Sequence, residues 1–204
     1  MKCLQNFILT ACPKDPAHAA SLFDALLLND GHVLVSTLEA NEALDRRFNL
    51  FWRKERVATL KLRDGWSVEH VNQTVFASGT NPGKRDLQLV ETTLQFKKGT
   101  TVKTMHHFHY DGWIDNSPAP DESLLLLLLL QIKERASNPS KPISINCRAG
   151  VGRTGTCALL LELMRAIDAA VLEKKPLDEM AVNILEKLYE MRLKGRMVIS
   201  NPAQ

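Results

Sequence analysis

The stretch ISINCRAGVGRTGT, Ile143–Thr156, constrains this chain more than any other. A short apolar run comes first, three glycines (Gly150, Gly152, Gly155) crowd the middle, and the apolar run CALLLELM follows. That order reads as a buried strand, a tight loop and a helix beginning close to Thr154. A strand that feeds a glycine-rich loop into a helix N-terminus makes an anion site. Backbone N–H groups converge there and the positive end of the helix adds to the field.

Two reactive side chains sit six residues apart on this stretch, Cys147 and Arg153. Arg153 can hold a phosphate through two parallel hydrogen bonds. The loop residues Arg148, Ala149, Gly150, Val151 and Gly152 would complete the phosphate cradle with Arg153. In that field the thiol of Cys147 loses its proton more easily, because only the thiolate is stabilised. Thr154 follows the arginine, and its hydroxyl can donate to the sulfur. The chemistry implied is attack on phosphorus and a covalent phosphocysteine. A cysteine alone would read as a buried structural thiol. The Cys, five residues, Arg, Thr spacing in this context points to catalysis instead.

With 204 residues the chain can build one substantial core, and we expect a single domain over 1–204. The formal net charge is +3, well short of a nucleic-acid-binding protein. Cys3, Cys12, Cys147 and Cys157 fit neither a disulfide framework nor a zinc site. They read as free thiols, which implies a reducing, cytoplasmic compartment. The apolar run near the N-terminus is too short for a secretory signal. The leucines from Leu124 to Leu130 are too few to cross a bilayer, which takes about 20 apolar residues. They read as a helix buried on most sides.

Along the chain, NFILTA reads as a strand, Pro16 to about Asn29 as a helix, and His32–Leu38 as a second strand. That βαβ unit points to a parallel or mixed sheet. ATLKLRD, TVFAS, LVETTLQFK and TVKTMHHFHY alternate as antiparallel strands, with turns at Asn81–Gly83 and Lys97–Gly99. ESLLLLLLLQIKERAS is a helix capped by Asp121 or Ser123, and Pro176–Lys194 is the last helix. The fold class is therefore α/β, a twisted mixed sheet flanked by helices.

Attack on phosphorus needs a proton donor for the leaving alkoxide or phenoxide. Asp115 lies in WIDNSPAP, a segment whose prolines suit a loop that closes over substrate. Trp113 would anchor that loop by packing. His107 and His109 share one face of a strand and His106 points the other way. No further ligand set completes a metal site in sequence, so neither a metal nor a cofactor is expected.

At these residues the chain resembles the cysteine-dependent protein tyrosine phosphatases. NCRAGVGRTGT looks like the family's signature loop, and HFHYDGWIDNSPAPD is similar to its His-Phe-His-Tyr strand and mobile acid loop. NFILTACP and LFW resemble its Tyr-Ile-Ala-Thr-Gln-Gly-Pro and Tyr-Trp-Pro segments. LYEMRLKGRMVISNPAQ resembles the segment with the water-positioning glutamine, which Gln204 matches once one residue is inserted after Val198. The resemblance implies a phosphotyrosine protein phosphatase with Cys147 as nucleophile, Arg153 as phosphate holder and Asp115 as acid. It also implies that Glu39 or Glu42 orients the arginine. A phosphotyrosine-bearing protein is the expected partner of a monomeric enzyme with no membrane span.

The chain departs from the family at several points. Asn146 stands where a histidine usually precedes the nucleophile, so the depression of the thiol pKa is expected to be smaller. Arg148 stands where tyrosine phosphatases usually have serine, and Ile114 where the acid loop has proline. The family's Lys-Asn-Arg-Tyr segment has no counterpart before Met1. Two alternatives follow: a dual-specificity or phosphoinositide phosphatase, and a weakly catalytic phosphate-binding pseudophosphatase.

Overall fold

The computed structural model describes residues 7–39, 42, 52–58, 60–80, 86–138, 140–174, 184–193 and 199. Among the described residues six strands form one sheet: β1 (Phe7–Ala11), β2 (Val33–Ser36), β3 (Ser67–Thr80), β4 (Asp86–Lys98), β5 (Thr101–Asp111) and β6 (Ile143–Cys147). Their order is β1-β6-β2-β5-β4-β3. The pairs β1–β6, β6–β2 and β2–β5 are parallel, and β5–β4 and β4–β3 are antiparallel. The sheet is mixed, as the βαβ unit followed by alternating segments predicts.

The helices are α1 (Pro16–Leu28), the single turn α2 (Lys54–Val57), α3 (Glu122–Arg135), α4 (Gly152–Leu172) and α5 (Ile184–Leu193). α1 starts where the sequence says it should: Asp15 caps it by accepting from the N–H of His18 at 2.9 Å, and Pro16 occupies the first turn. Asp121 caps α3 in the same way, accepting from the N–H of Leu124 at 2.9 Å.

Strand alternation divides the core between the two sheet faces. Val33, Val35, Phe108, Tyr110, Ile143 and Ile145 face α3 and α4, where Leu128, Ile132 and Leu161 meet them. Leu34, Leu94, Phe96 and Met105 face α1, where Phe23 and Leu26 meet them. Phe23 and Phe96 pack edge to face with centroids 5.1 Å apart, a geometry worth about 0.5–1.5 kcal/mol beyond area burial.

Three expectations are corrected or sharpened. ATLKLRD forms no described strand: Arg63–Gly65 is a 3-10 turn, with positive φ at both Asp64 and Gly65. Asp24 on α1 accepts from the N–H of Arg63 at 3.1 Å and ties the segment to the helix, away from the sheet. The leucine run is buried on one side only. Leu124, Leu125, Leu128 and Leu129 face the core, while Leu126 and Leu130 are exposed, one helical turn apart on the outer face. The turn at Lys97–Gly99 is a two-residue hairpin, with Lys98 paired to Thr101 and Gly99 at φ 57°, as such turns require. The turn expected at Asn81–Gly83 and the first half of the last helix lie outside the described residues. Among the described residues, no helix is long and apolar enough to cross a membrane.

Candidate active site

The parallel strands β1, β6, β2 and β5 end on the same edge of the sheet, and the reactive residues gather there. Cys147 is the last residue of β6, in register with Ala11 at the end of β1. The loop that follows is pressed against β1. Gly150 has φ 70°, and a Cβ there would lie 2.3 Å from the carbonyl carbon of Thr10. Only glycine meets both conditions. α4 then begins at Gly152, and its N-cap residue Val151 makes no side-chain cap. No capping side chain competes with an anion for the first-turn N–H groups of that helix.

Arg153 is completely buried. Its Nη1 and Nη2 donate to the two carboxylate oxygens of Glu42 at 2.7 and 3.0 Å, a bidentate fork. The second Nη1 hydrogen goes to the carbonyl oxygen of Trp113 at 2.7 Å. That leaves the Nε–Nη2 edge. Nη2 meets the Asp115 carboxylate at 3.1 Å, and Nε has no hydrogen-bond partner among the described residues. Burial works against the charge on Arg153, yet the hydrogen bonds from Glu42 and the charges of Glu42, Cys147 and Asp115 outweigh it and raise its pKa. The guanidinium is a fixed cation whose Nε–Nη2 edge is held only by Asp115, through Nη2, and that edge has the geometry to match two oxygens of a phosphate.

The remaining predicted residues surround this fork. The Oγ1 of Thr154 is buried without a partner among the described residues. Asp115 hangs from the loop after β5. Trp113 anchors that loop: it is fully buried, packs on Tyr110, and donates from Nε1 to the carbonyl oxygen of Ser117 at 3.0 Å. Arg148 is half-exposed at the mouth, 4.0 Å from Asp115. The structure thus brings together Cys147, Arg148, Ala149, Gly150, Val151, Gly152, Arg153, Thr154 and Asp115. Gln204 lies outside the described residues.

Of the two candidate glutamates, Glu42 makes the fork. Glu39 instead donates its N–H to Glu42 at 3.1 Å. The Trp113 carbonyl was not legible in the sequence, since a backbone acceptor leaves no residue signal. Asn146 is buried, and neither side-chain amide atom has a partner among the described residues. Its backbone carbonyl accepts from the N–H of Thr37 at 3.0 Å.

The histidines divide between faces as alternation predicts. His107 and His109 stack beside Trp52 and reach the Oγ of Ser36 and the carbonyl of Leu38, while His106 pairs with Glu91. Burial holds the pKa of His107 well below its ordinary value and lowers that of His109. Among the described residues no group of three or more His, Cys, Asp or Glu is placed to hold a metal ion.

The family profile for protein-tyrosine phosphatase matches residues 2–204. The chain belongs to the protein-tyrosine phosphatase family. Tyrosine-protein phosphatase 99A of Drosophila melanogaster is 33% identical over 125 residues, which cover 60% of this chain and 9% of that protein. Tyrosine-protein phosphatase 3 of Schizosaccharomyces pombe is 30% identical over 139 residues, 67% of this chain and 43% of that protein. A solved structure of PTPN18 superposes with a TM-score of 0.71 at 16% identity, covering 97% of this chain and 62% of that one. The sheet and flanking helices are therefore those of this phosphatase family. The chain spans under half the length of these two curated relatives.

Proposed function

We propose that residues 1–204 form a single phosphotyrosine phosphatase domain that works through a phosphocysteine. The observation that carries this reading is the Nε–Nη2 edge of a buried, Glu42-locked Arg153 beside Cys147, its Nε unpartnered among the described residues and its Nη2 met by the Asp115 carboxylate from the opposite loop. A phosphate monoester displaces Asp115 from the fork and is held by Arg153 and the backbone from Arg148 to Gly152. The Cys147 thiolate attacks phosphorus, and the phosphorus–oxygen bond to the tyrosine breaks. Asp115 gives its proton to the departing phenoxide. Thr154 donates to the sulfur when it leaves. Water then attacks the phosphocysteine with Asp115 as base, and Gln204, by resemblance, positions that water.

The substrate is a phosphotyrosine-bearing protein, met by a monomeric, cytoplasmic enzyme. A solved structure of the neighbour PTPN18 is a complex with HER2 phospho-peptides, and the same ligand class is assigned here. Arg148 favours a second reading, because a half-exposed guanidinium at the mouth suits a substrate with more than one anionic group, such as a phosphoinositide.

The test is a pH–rate profile on a phosphotyrosine peptide, with phosphothreonine peptide and phosphoinositide in parallel. Wild type is expected to turn over the phosphotyrosine peptide best. Cys147→Ser should fall below about a ten-thousandth of wild type, and Asp115→Asn should lose the basic limb of the profile. Faster turnover of the phosphoinositide would move the assignment to the second reading. Tight peptide binding with no turnover would replace it with a phosphate-binding module.

A further inference from the structure

A cavity of about 400 Å³ opens over β5, β4 and β3, on the sheet face that α1 also covers. Its volume lies within the about 300–1,000 Å³ of small-molecule sites. Strand register builds it: His109 stands beside Val90, Asp111 beside Gln88, and Gln73 beside Thr92. Trp52, Val90 and Thr92 form its buried floor, while Lys54 and Glu55 of α2, with Arg53 before them, form an exposed rim.

The lining has two cations, Arg53 and Lys54, and two carboxylates, Glu55 and Asp111. Among the described residues none of the rim charges makes an ion pair. Gln73, Gln88 and Thr92 can each donate and accept. A polyanion would be repelled by Glu55 and Asp111, and a hydrocarbon would desolvate the cations without replacing their water. A small ligand with one positive and one negative end meets both signs.

Two walls of the cavity lead to Arg153. His109 Nε2 donates to the carbonyl oxygen of Leu38 at 2.8 Å, and the next residue, Glu39, donates its N–H to Glu42, which forks Arg153. Asp111 accepts from the N–H of Gly112 at 2.7 Å, and the next carbonyl, that of Trp113, accepts from Arg153 at 2.7 Å. Burial lowers the pKa of His109; the charge of Asp111 raises it and that of Arg53 lowers it, so both charges lie close to its ring.

We propose that this cavity is an effector site for a free α-amino acid, distinct from the phosphate cradle and coupled to it through the groups that hold Arg153. The ligand carboxylate goes to Arg53 and Lys54, and its ammonium to Asp111 and Glu55. Bound there, it fixes His109 and Asp111, and with them the two loops that converge on Arg153. By linkage, amino acid and phosphate then strengthen each other's binding. The coupling rests on Arg153 as phosphate holder; binding in the cavity does not.

The experiment is calorimetric titration of the full chain with glycine, L-glutamine and L-phenylalanine in turn. Acetate and methylammonium serve as single-charge probes, and inorganic phosphate as the ligand of the cradle. At least one amino acid should bind one to one, about tenfold or more tighter than either single-charge probe. Arg53→Ala and Glu55→Gln, both on the exposed rim, should each weaken it about tenfold. The bound amino acid should tighten phosphate binding about fivefold or more, and Arg53→Ala should remove that gain while leaving phosphate affinity without amino acid unchanged. No binding by any of the three, equal binding by both variants, or displacement of the amino acid by phosphate overturns the proposal. An unchanged phosphate affinity overturns the coupling. Amino-acid binding that follows the rim charges, in a chain that cannot hydrolyse a phosphotyrosine peptide, would sink the proposed function and leave this site standing.

Discussion

The two halves of the sheet are built to different rules. On the parallel side β1, β6 and β2 have only five, five and four residues, and every residue of β6 and β2 is buried. On the antiparallel side β3, β4 and β5 have 14, 13 and 11 residues, and the outer strand β3 is largely exposed. Parallel strands covered on both faces have no solvent side, so a short run suffices and no position tolerates a mismatch. A long antiparallel ladder can be wet on one face and is held mainly by its own neighbours. Cys147 stands at the end of the short half. The long half delivers the loop that carries Asp115, because β5 belongs to both: it pairs in parallel with β2 and antiparallel with β4. Position matters on one side of the molecule and bulk stability on the other.

That division can be broken experimentally. Phe96→Ala, deep in the antiparallel half, should cost about 3–5 kcal/mol in urea unfolding while leaving kcat of the folded fraction unchanged. A fall in kcat as well would show that the ladder tunes the site. Gly150→Ala should reverse the pattern. Its Cβ meets the Thr10 backbone at a positive φ, so stability should drop by only about 1–3 kcal/mol, but the displaced loop should lose about a hundredfold in kcat. Equal turnover by this variant would mean that the contact with β1 does not set the loop.

The smallest effect tests the splice strand. His107 is buried on β5 with its pKa held below the ordinary value, so the unfolded chain takes up the proton first. The stability it supports is therefore complete above about pH 6.5 and falls on acidification, by at most about 1.4 kcal/mol per pH unit for each such histidine. Unfolding midpoints measured from pH 8 to pH 5 should slope less in His107→Gln than in wild type. Parallel curves would remove this histidine from the account.

What was legible in the sequence follows the same division. Apolar period, caps and glycines revealed the βαβ start, both capped helices and the loop after β6, because those signals are local. That Arg153, Cys147 and Asp115 gather at one place was legible because residue type and loop composition single them out. ATLKLRD was not, since its alternation is strand-like and only the long-range tie from Asp24 to Arg63 removes it from the sheet. The choice between Glu39 and Glu42 was open for the same reason: three residues apart on a loop, they differ only in where the fold aims them. The outward Leu126 and Leu130 have the same residue type as their buried neighbours, so nothing local distinguishes them.

The register of β1 on β6 bears on the order in which the chain comes together. Phe7 pairs with Ile143 and Ala11 with Cys147, so the first strand made has to wait for the last. The β4–β5 hairpin closes over two residues and can zip as soon as it is synthesised. Closing the loop between β1 and β6 costs the most chain entropy and comes late. A nascent chain that stops before Ile143 lacks β6, the strand that joins β1 to β2, and the helices α4 and α5 that follow it. The loop after β6 therefore takes its place against β1 only when the parallel half closes, so the candidate site comes together as the sheet is completed.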